Sequence, residues 1–258
     1  MTNQPTAAII IIGNEILSGR TQDTNIAYIG KKLAAIGVDL LEVRVIPDEE
    51  DRIINTVNDV RCSYTYVLTT GGIGATHDDI TAASIAKAFD RPFVENQEAL
   101  KILEEHYNDT LWHHGSQVSF NESRRRMAMM PKGVTLIENP VSKAPAFQIE
   151  NVFVLAGMPS VMQGMLEYVL PRLETGKPFY YNTVTSNVLE GTIAEKLTEI
   201  QNQYPEVSIG SYPFYKVPDI GTSLVIRGQD KDIIIQATED IIAMVKSFGG
   251  IPTIERQI

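Results

Sequence analysis

Apolar residues fall into two alternating spacings along the first part of the chain. The run AAIIII at residues 7–12 has the length and β-branched content of a strand buried on both faces. Ile26, Ile29, Leu33 and Ile36 then recur at helical spacing, and Gly37 supplies a C-terminal stop. Residues 38–46 predict a second strand. Pro47 and Asp48 open a helix with apolar positions Ile53, Ile54, Val57 and Val60, and a strand over residues 64–69 follows. Ala82, Ile85, Ala86 and Phe89 mark one face of the next helix. Strands alternating with helical crossovers predict an α/β domain with a mainly parallel sheet.

From residue 92 to 130 the pattern is mostly helical, with Leu100, Leu103 and Tyr107 on one stripe and a stretch over 116–130 that ends at Pro131. This segment reads as an insertion between strands. Further strands are predicted at 134–137 and 152–156. The turn Gly157-Met158-Pro159-Ser160 leads into an amphipathic helix carrying Val161, Met165, Leu166 and Val169, which stops near Pro171. Gly176 and Pro178 mark a linker. Beyond it the order is strand, helix, strand, strand, helix, strand: residues 183–188, 207–211 and 223–227 supply strands. Ile193, Leu197 and Ile200, then Ile234, Ile241 and Val245, supply helices. The expected organisation is an α/β domain over residues 1–175 and a small α+β domain over residues 176–258.

Composition narrows the setting. The chain has 258 residues, ample for a sizeable core, and its formal charge of −10 argues against a protein that coats nucleic acid, which needs a Lys/Arg footprint. A single cysteine, Cys62, has no intrachain disulfide partner, so a reducing cytoplasm is the expected location. The apolar run at 7–12 lacks the basic flank of a signal peptide and is far short of the ~20 residues that span a bilayer, so no membrane role is expected. A homo-oligomer that takes a small-molecule ligand is the expected form.

The densest candidate chemistry is Thr69-Thr70-Gly71-Gly72-Ile73-Gly74-Ala75-Thr76-His77-Asp78-Asp79, between a predicted strand and a predicted helix. Glycines at the carboxyl end of a parallel strand let backbone approach an anion, and a following helix turns free N–H groups and its positive end toward it. A phosphate is the natural guest, although the Gly-Gly-Xaa-Gly spacing is neither a dinucleotide fingerprint nor a Walker loop. Asp78 or Asp79 alone also reads as a helix N-cap. As a pair beside a phosphate they would repel it unless a divalent cation intervenes, the logic of Mg²⁺ sites built on one or two carboxylates plus substrate.

Gly13-Asn14-Glu15 through Asn25, at the end of the first strand, offers Glu15, Asp23 and Asn25 as metal or ligand groups; the plainer reading is a polar turn with Asp23 or Thr24 capping the next helix. The loop 139–146 offers Ser142 and Lys143, the latter as a charge that stabilises a transferring phosphoryl group or as a solvated lysine. Gly157 and Pro159 sit where a strand-to-helix turn could cover the ligand. His113 and His114 are adjacent, which is the wrong spacing for a shared metal on one helix face. Arg124 to Arg126 read as a solvated face with a phosphate-binding arm as the minority view, and Met127, Met129 and Met130 as core fillers.

Taken together, IIIIGNEILSGRTQDTN at 9–25, VLTTGGIGATHDDIT at 67–81, NPVSKAPAF at 139–147 and GMPS at 157–160 resemble the molybdopterin-binding fold family. The resemblance is strongest to the N-terminal domain of competence/damage-inducible protein A and to the similar region of FAD synthase, whose second unit IGSYP at 209–213 also resembles. It implies a three-layer α/β/α domain with Asp79 closing the pterin-binding glycine motif. Enzymes of molybdenum cofactor assembly use this fold to bind molybdopterin. The subtype resembled here is associated with metal-dependent hydrolysis of nucleotide pyrophosphates such as ADP-ribose, FAD or CoA, using Mg²⁺, Mn²⁺ or Co²⁺. Ligand contacts are then expected from Thr70, Gly71, Gly72, Gly74, Asn25, Ser142, Gly157 and Pro159, catalytic roles from Asp78, Asp79 and Lys143, and metal binding from Glu15, Asp78 and Asp79. No segment resembles the amidase or adenylyltransferase domains of longer relatives, so neither activity is expected. Ala156 and Met158 depart from the proline-containing turn common in the family.

Overall fold

The computed structural model describes residues 4–109, 120–216 and 219–257. His113 and His114 lie outside the described residues. The chain divides into two compact units, Met1–Gly176 and Lys177–Ile258.

The first unit begins with β1 (Thr6–Ile12), which is buried from Ala7 onward. A short helix α1 (Asn14–Leu17) precedes α2 (Asn25–Ala35), β2 (Asp39–Ile46), α3 (Glu50–Arg61), β3 (Tyr66–Thr70) and α4 (Thr81–Ala88). β4 (Phe93–Glu95), α5 (Gln97–Asp109), α6 (Glu122–Arg125) and β5 (Met129–Pro131) follow. β6 (Thr135–Ile137), β7 (Ala146–Ile149), β8 (Val152–Leu155) and α7 (Pro159–Val169) complete the unit. The main sheet has the order β2-β1-β3-β8-β7-β6. Its first four strands are parallel, while β7 runs antiparallel to β8 and β6 antiparallel to β7.

The period-2 geometry of β1 divides its side chains between two cores. Ala8, Ile10 and Ile12 pack with Ile53 and Val57 of α3, Ile85 of α4 and Leu103 of α5. Ala7, Ile9 and Ile11 pack with Ile29 and Leu33 of α2 and Met165 and Leu166 of α7. Helices therefore cover both faces, which is the three-layer α/β/α arrangement, and each fully buried isoleucine contributes ~1.5–3 kcal/mol. Gly37, at φ +73°, ends α2 in the left-handed region as the sequence predicts.

Two features differ from the sequence expectation. Within 92–130 most of the described residues are helical as expected, in α5, α6 and a 3-10 turn at Arg126–Ala128, but β4 and β5 add an antiparallel ribbon that the pattern does not predict. Arg125 of α6 clasps Glu95 of β4 through Nε and Nη2, fixing the ribbon to the helix. β7 was also hidden, because a four-residue strand is too short to display a period.

The second unit has β9 (Tyr180–Ser186), α8 (Glu190–Gln203), β10 (Ser208–Lys216), β11 (Asp219–Gly228), α9 (Lys231–Ser247) and β12 (Thr253–Gln257). Its four-stranded antiparallel sheet has the order β10-β11-β9-β12. Val184, Leu224 and Ile226 of the sheet pack with Ile193 of α8 and Ile234, Ile241 and Val245 of α9. Asp230 caps α9, its Oδ1 accepting from the backbone N–H of Asp232 and Ile233. No helix among the described residues is long and apolar enough to cross a membrane.

Candidate functional site

Parallel strands end on one edge of the sheet, so the loops after β1, β2, β3 and β8 converge there. The loop after β3 is shaped by its glycines. Gly71 has φ +107°, and a Cβ there would lie 2.1 Å from the carbonyl oxygen of Ile12, the last residue of β1. Gly72 has φ +67°, and its Cβ would meet Thr81 Oγ1 at 2.1 Å. Only glycine fits either position. Gly157, after β8, packs backbone to backbone on this turn, since its Cβ would be 3.2 Å from Gly71 Cα.

Asp79 locks the same loop. Its Oδ2 accepts from Thr76 N–H at 2.8 Å and Thr76 Oγ1 at 2.6 Å, and it lies where a Cβ on Gly74 would be, at 2.6 Å. Neither aspartate caps the following helix by its side chain: the N-cap of α4 is Ile80. Asp78 is exposed and its carboxyl is held below the ordinary carboxylate range, chiefly by the polar Thr76 side chain nearby.

These loops surround a cleft of about 380 Å³ lined by Gly71, Gly72, Gly74, Asp78, Asp79, Glu15, Ser142 and Gly157 among the sequence-predicted residues. Asp48, Asn139 and Met127 also line it. Asp48 is the residue that sequence reasoning missed, since Pro47-Asp48 reads as a helix start. Its Oδ2 accepts from Asn14 N–H at 2.8 Å, which ties the loop after β2 to the loop after β1. Burial raises its pKa from the ordinary aspartate value, the Asn14 N–H opposes that, and the charges of Glu15 and Asp78 raise it further.

Four predicted contacts stand outside the cleft wall. Thr70 is buried in the sheet behind Gly71, and its hydroxyl has no partner among the described residues. Asn25 supports the wall instead, its Nδ2 donating to Gly157 O at 2.9 Å. Pro159 is the first residue of α7, where its missing N–H costs nothing. Lys143 is exposed, at φ +61°, and its charge helps lower the pKa of His106 after the larger effect of burial. Asp23 takes the plainer of its two readings, its Oδ1 accepting from Ile26 N–H at 2.9 Å near the start of α2.

The neighbouring loop is organised by Asn139. Its Nδ2 donates to Ser142 Oγ at 2.6 Å and Ala144 O at 2.9 Å, and its Oδ1 accepts from Val141 and Ser142 N–H. Ser142 is thereby presented to the cleft.

Glu15, Asp48 and Asp78 share one cleft, yet among the described residues no three acidic, histidine or cysteine side chains converge as a closed metal cage. The pKa of Asp48 is raised chiefly by burial, and the charges of Glu15 and Asp78 add to it. That donor set fits a cation shared with ligand phosphates, as Mg²⁺ commonly is, rather than an all-protein site.

A three-layer domain with a glycine turn at the parallel strand ends defines a class, and residues 8–175 match the family described as a probable molybdopterin binding domain. The chain belongs to that family. Residues 178–250 match the middle domain of FAD synthase. A protein of Archaeoglobus fulgidus is 39% identical over 206 residues, 80% of this chain and 84% of its own. One of Metallosphaera sedula is 31% identical across 95% of this chain and 96% of its own. The crystal structure of CinA of Thermoplasma acidophilum, a protein of unknown function, is 30% identical, with a TM-score of 0.59 over 66% of this chain and 99% of that one. The resemblance drawn from the motifs is thus borne out.

Proposed function

We propose that the cleft hydrolyses nucleotide pyrophosphates of the ADP-ribose, FAD or CoA type with the help of a divalent cation, Mg²⁺, Mn²⁺ or Co²⁺. The observation that carries this reading is the pairing of an anion-accepting glycine turn with Glu15, Asp48 and Asp78 in one cleft. Carboxylates there oppose a phosphate unless a cation sits between them. When bound, the cation supplies neutralisation of the pyrophosphate oxygens and lowers the pKa of water. Gly72 and Gly74 receive one phosphate along the backbone, while Gly71, whose N–H is bonded to Leu155 O at 3.1 Å, lets the chain turn close to it. Asp79 holds the glycine loop rigid while Asp78 orients the attacking water and accepts its proton. The water oxygen bonds to phosphorus as the bridging P–O bond breaks, giving two monophosphates. Ser142 contacts the phosphate, and Lys143 stabilises the developing charge from the adjoining loop position. Thr70, Asn25, Gly157 and Pro159 act as the supports behind these contacts.

The experiment is incubation of the purified protein with ADP-ribose, FAD or CoA and each cation, with chromatography for mononucleotides. Mononucleotide release with at least one pairing is expected; no release with any pairing refutes hydrolysis.

A second reading, a non-catalytic molybdopterin or related pterin binder in molybdenum cofactor metabolism, is favoured by the family match over residues 8–175. It expects fluorescent pterin to co-purify from a pterin-producing host and binding to persist in Asp79→Asn without metal. Protein that retains no pterin counts against it. Either way the partner is a small molecule, and a cytoplasmic homo-oligomer is the proposed setting.

A further inference from the structure

Beside the glycine cleft lies a second, narrower cavity of about 120 Å³. Ile73, Gly74, Asp79 and Met127 stand in the walls of both, so the two adjoin. Of the described residues lining the narrower one, only Asp79 and Arg126 are charged; Phe93, Met129 and Phe147 give it an apolar interior.

Arg126 is the last of three consecutive arginines whose neighbours are already engaged. The guanidinium of Arg124 lies 4.5 Å from the Tyr107 ring centroid, and Arg125 clasps Glu95. No hydrogen bond or ion pair among the described residues engages the side chain of Arg126, which is exposed and lines the cavity.

We propose that this side cavity is the base subsite of the ligand: it takes a planar, uncharged heteroaromatic ring, and Arg126 stacks on the part that remains outside. The proposal rests on the cleft being a nucleotide site. An enclosed cavity of ~150 Å³ holds a benzene ring, so the present one, about 120 Å³ and adjoining the cleft, has room for one ring at most. A purine then leaves its second ring at the mouth, where a planar guanidinium is suited to its face. Met127 and Met129 are flexible, polarisable walls that adapt to a flat guest.

Methionine methyl NMR of the full chain reads this site directly, with adenosine, AMP and ribose 5-phosphate as probes. Adenosine and AMP are expected to shift the Met127 and Met129 methyl signals through ring currents, and ribose 5-phosphate to leave them in place. Ala83→Leu, which fills the cavity from α4, and Arg126→Ala, at an exposed position, are each expected to weaken adenosine binding at least about fivefold. Both methyls unmoved by adenosine and AMP at about 10 mM overturns the proposal. So does adenosine binding unchanged in Arg126→Ala, which decides the matter if Ala83→Leu fails to fold. Adenosine needs neither metal nor pyrophosphate. A protein that hydrolyses nothing but shifts Met127 with adenosine therefore keeps the base subsite and loses the hydrolysis reading.

Discussion

Gly71 is the residue on which the cleft floor depends. A methyl group there would sit 2.1 Å from Ile12 O, a backbone atom of the central strand that cannot give way. Gly71→Ala is expected to cost ~3 kcal/mol or more, measured by urea denaturation, because it adds left-handed strain to a steric clash. Asp48 makes a different demand. Its carboxyl is held above the ordinary value, so its contribution to stability is favourable below the unfolded value of 3.8 and lost as pH rises through the folded one. Asp48→Asn keeps an acceptor for Asn14 N–H and removes the charge. Its melting temperature should exceed wild type by on the order of 1–3 °C near pH 7 and match it near pH 3, by calorimetry at both values. The glycine spacing was legible in the sequence because φ and close approach restrict those positions to one residue type. Asp48 was not, because its role arises only when the loops after β1 and β2 meet.

The loop between β6 and β7 shows how an element presents a functional side chain. Asn139 is buried, makes four hydrogen bonds to its own loop and thereby orients Ser142. Asn139→Ala is expected to lower stability by about 2–4 kcal/mol and to speed amide exchange at Val141 and Ser142 selectively. The long elements were legible from periodicity: α2, α3 and α7 each bury the stripe their sequence marks. Between residues 92 and 149 legibility fell, because β4, β5 and β7 have three or four residues each. Strands that short are set by tertiary pairing, such as Phe93 against Pro131, rather than by pattern.

At the scale of the molecule, two cores flank the first sheet and a third is confined to the second unit. Because that third core draws only on residues of its own unit, residues 177–258 produced alone are expected to unfold cooperatively on heating. A fragment without a cooperative transition would show that it needs the rest of the chain. The charge of −10 over the whole chain makes local arrangement decisive for an anionic ligand: backbone donors at the glycine turn and a shared cation must outweigh the general repulsion. The alternation of strands and helices made the layered fold legible, whereas the ligand was not, because a glycine turn beside carboxylates suits more than one phosphate-bearing small molecule. The most direct measurement is phosphorus NMR of ADP-ribose incubated with the protein and Mg²⁺, run beside Asp48→Asn. The account expects the pyrophosphate signals to give way to two monophosphate signals with wild type, at least about tenfold more slowly with the variant. Pyrophosphate left intact by the wild-type protein, or consumed equally fast by both, contradicts it.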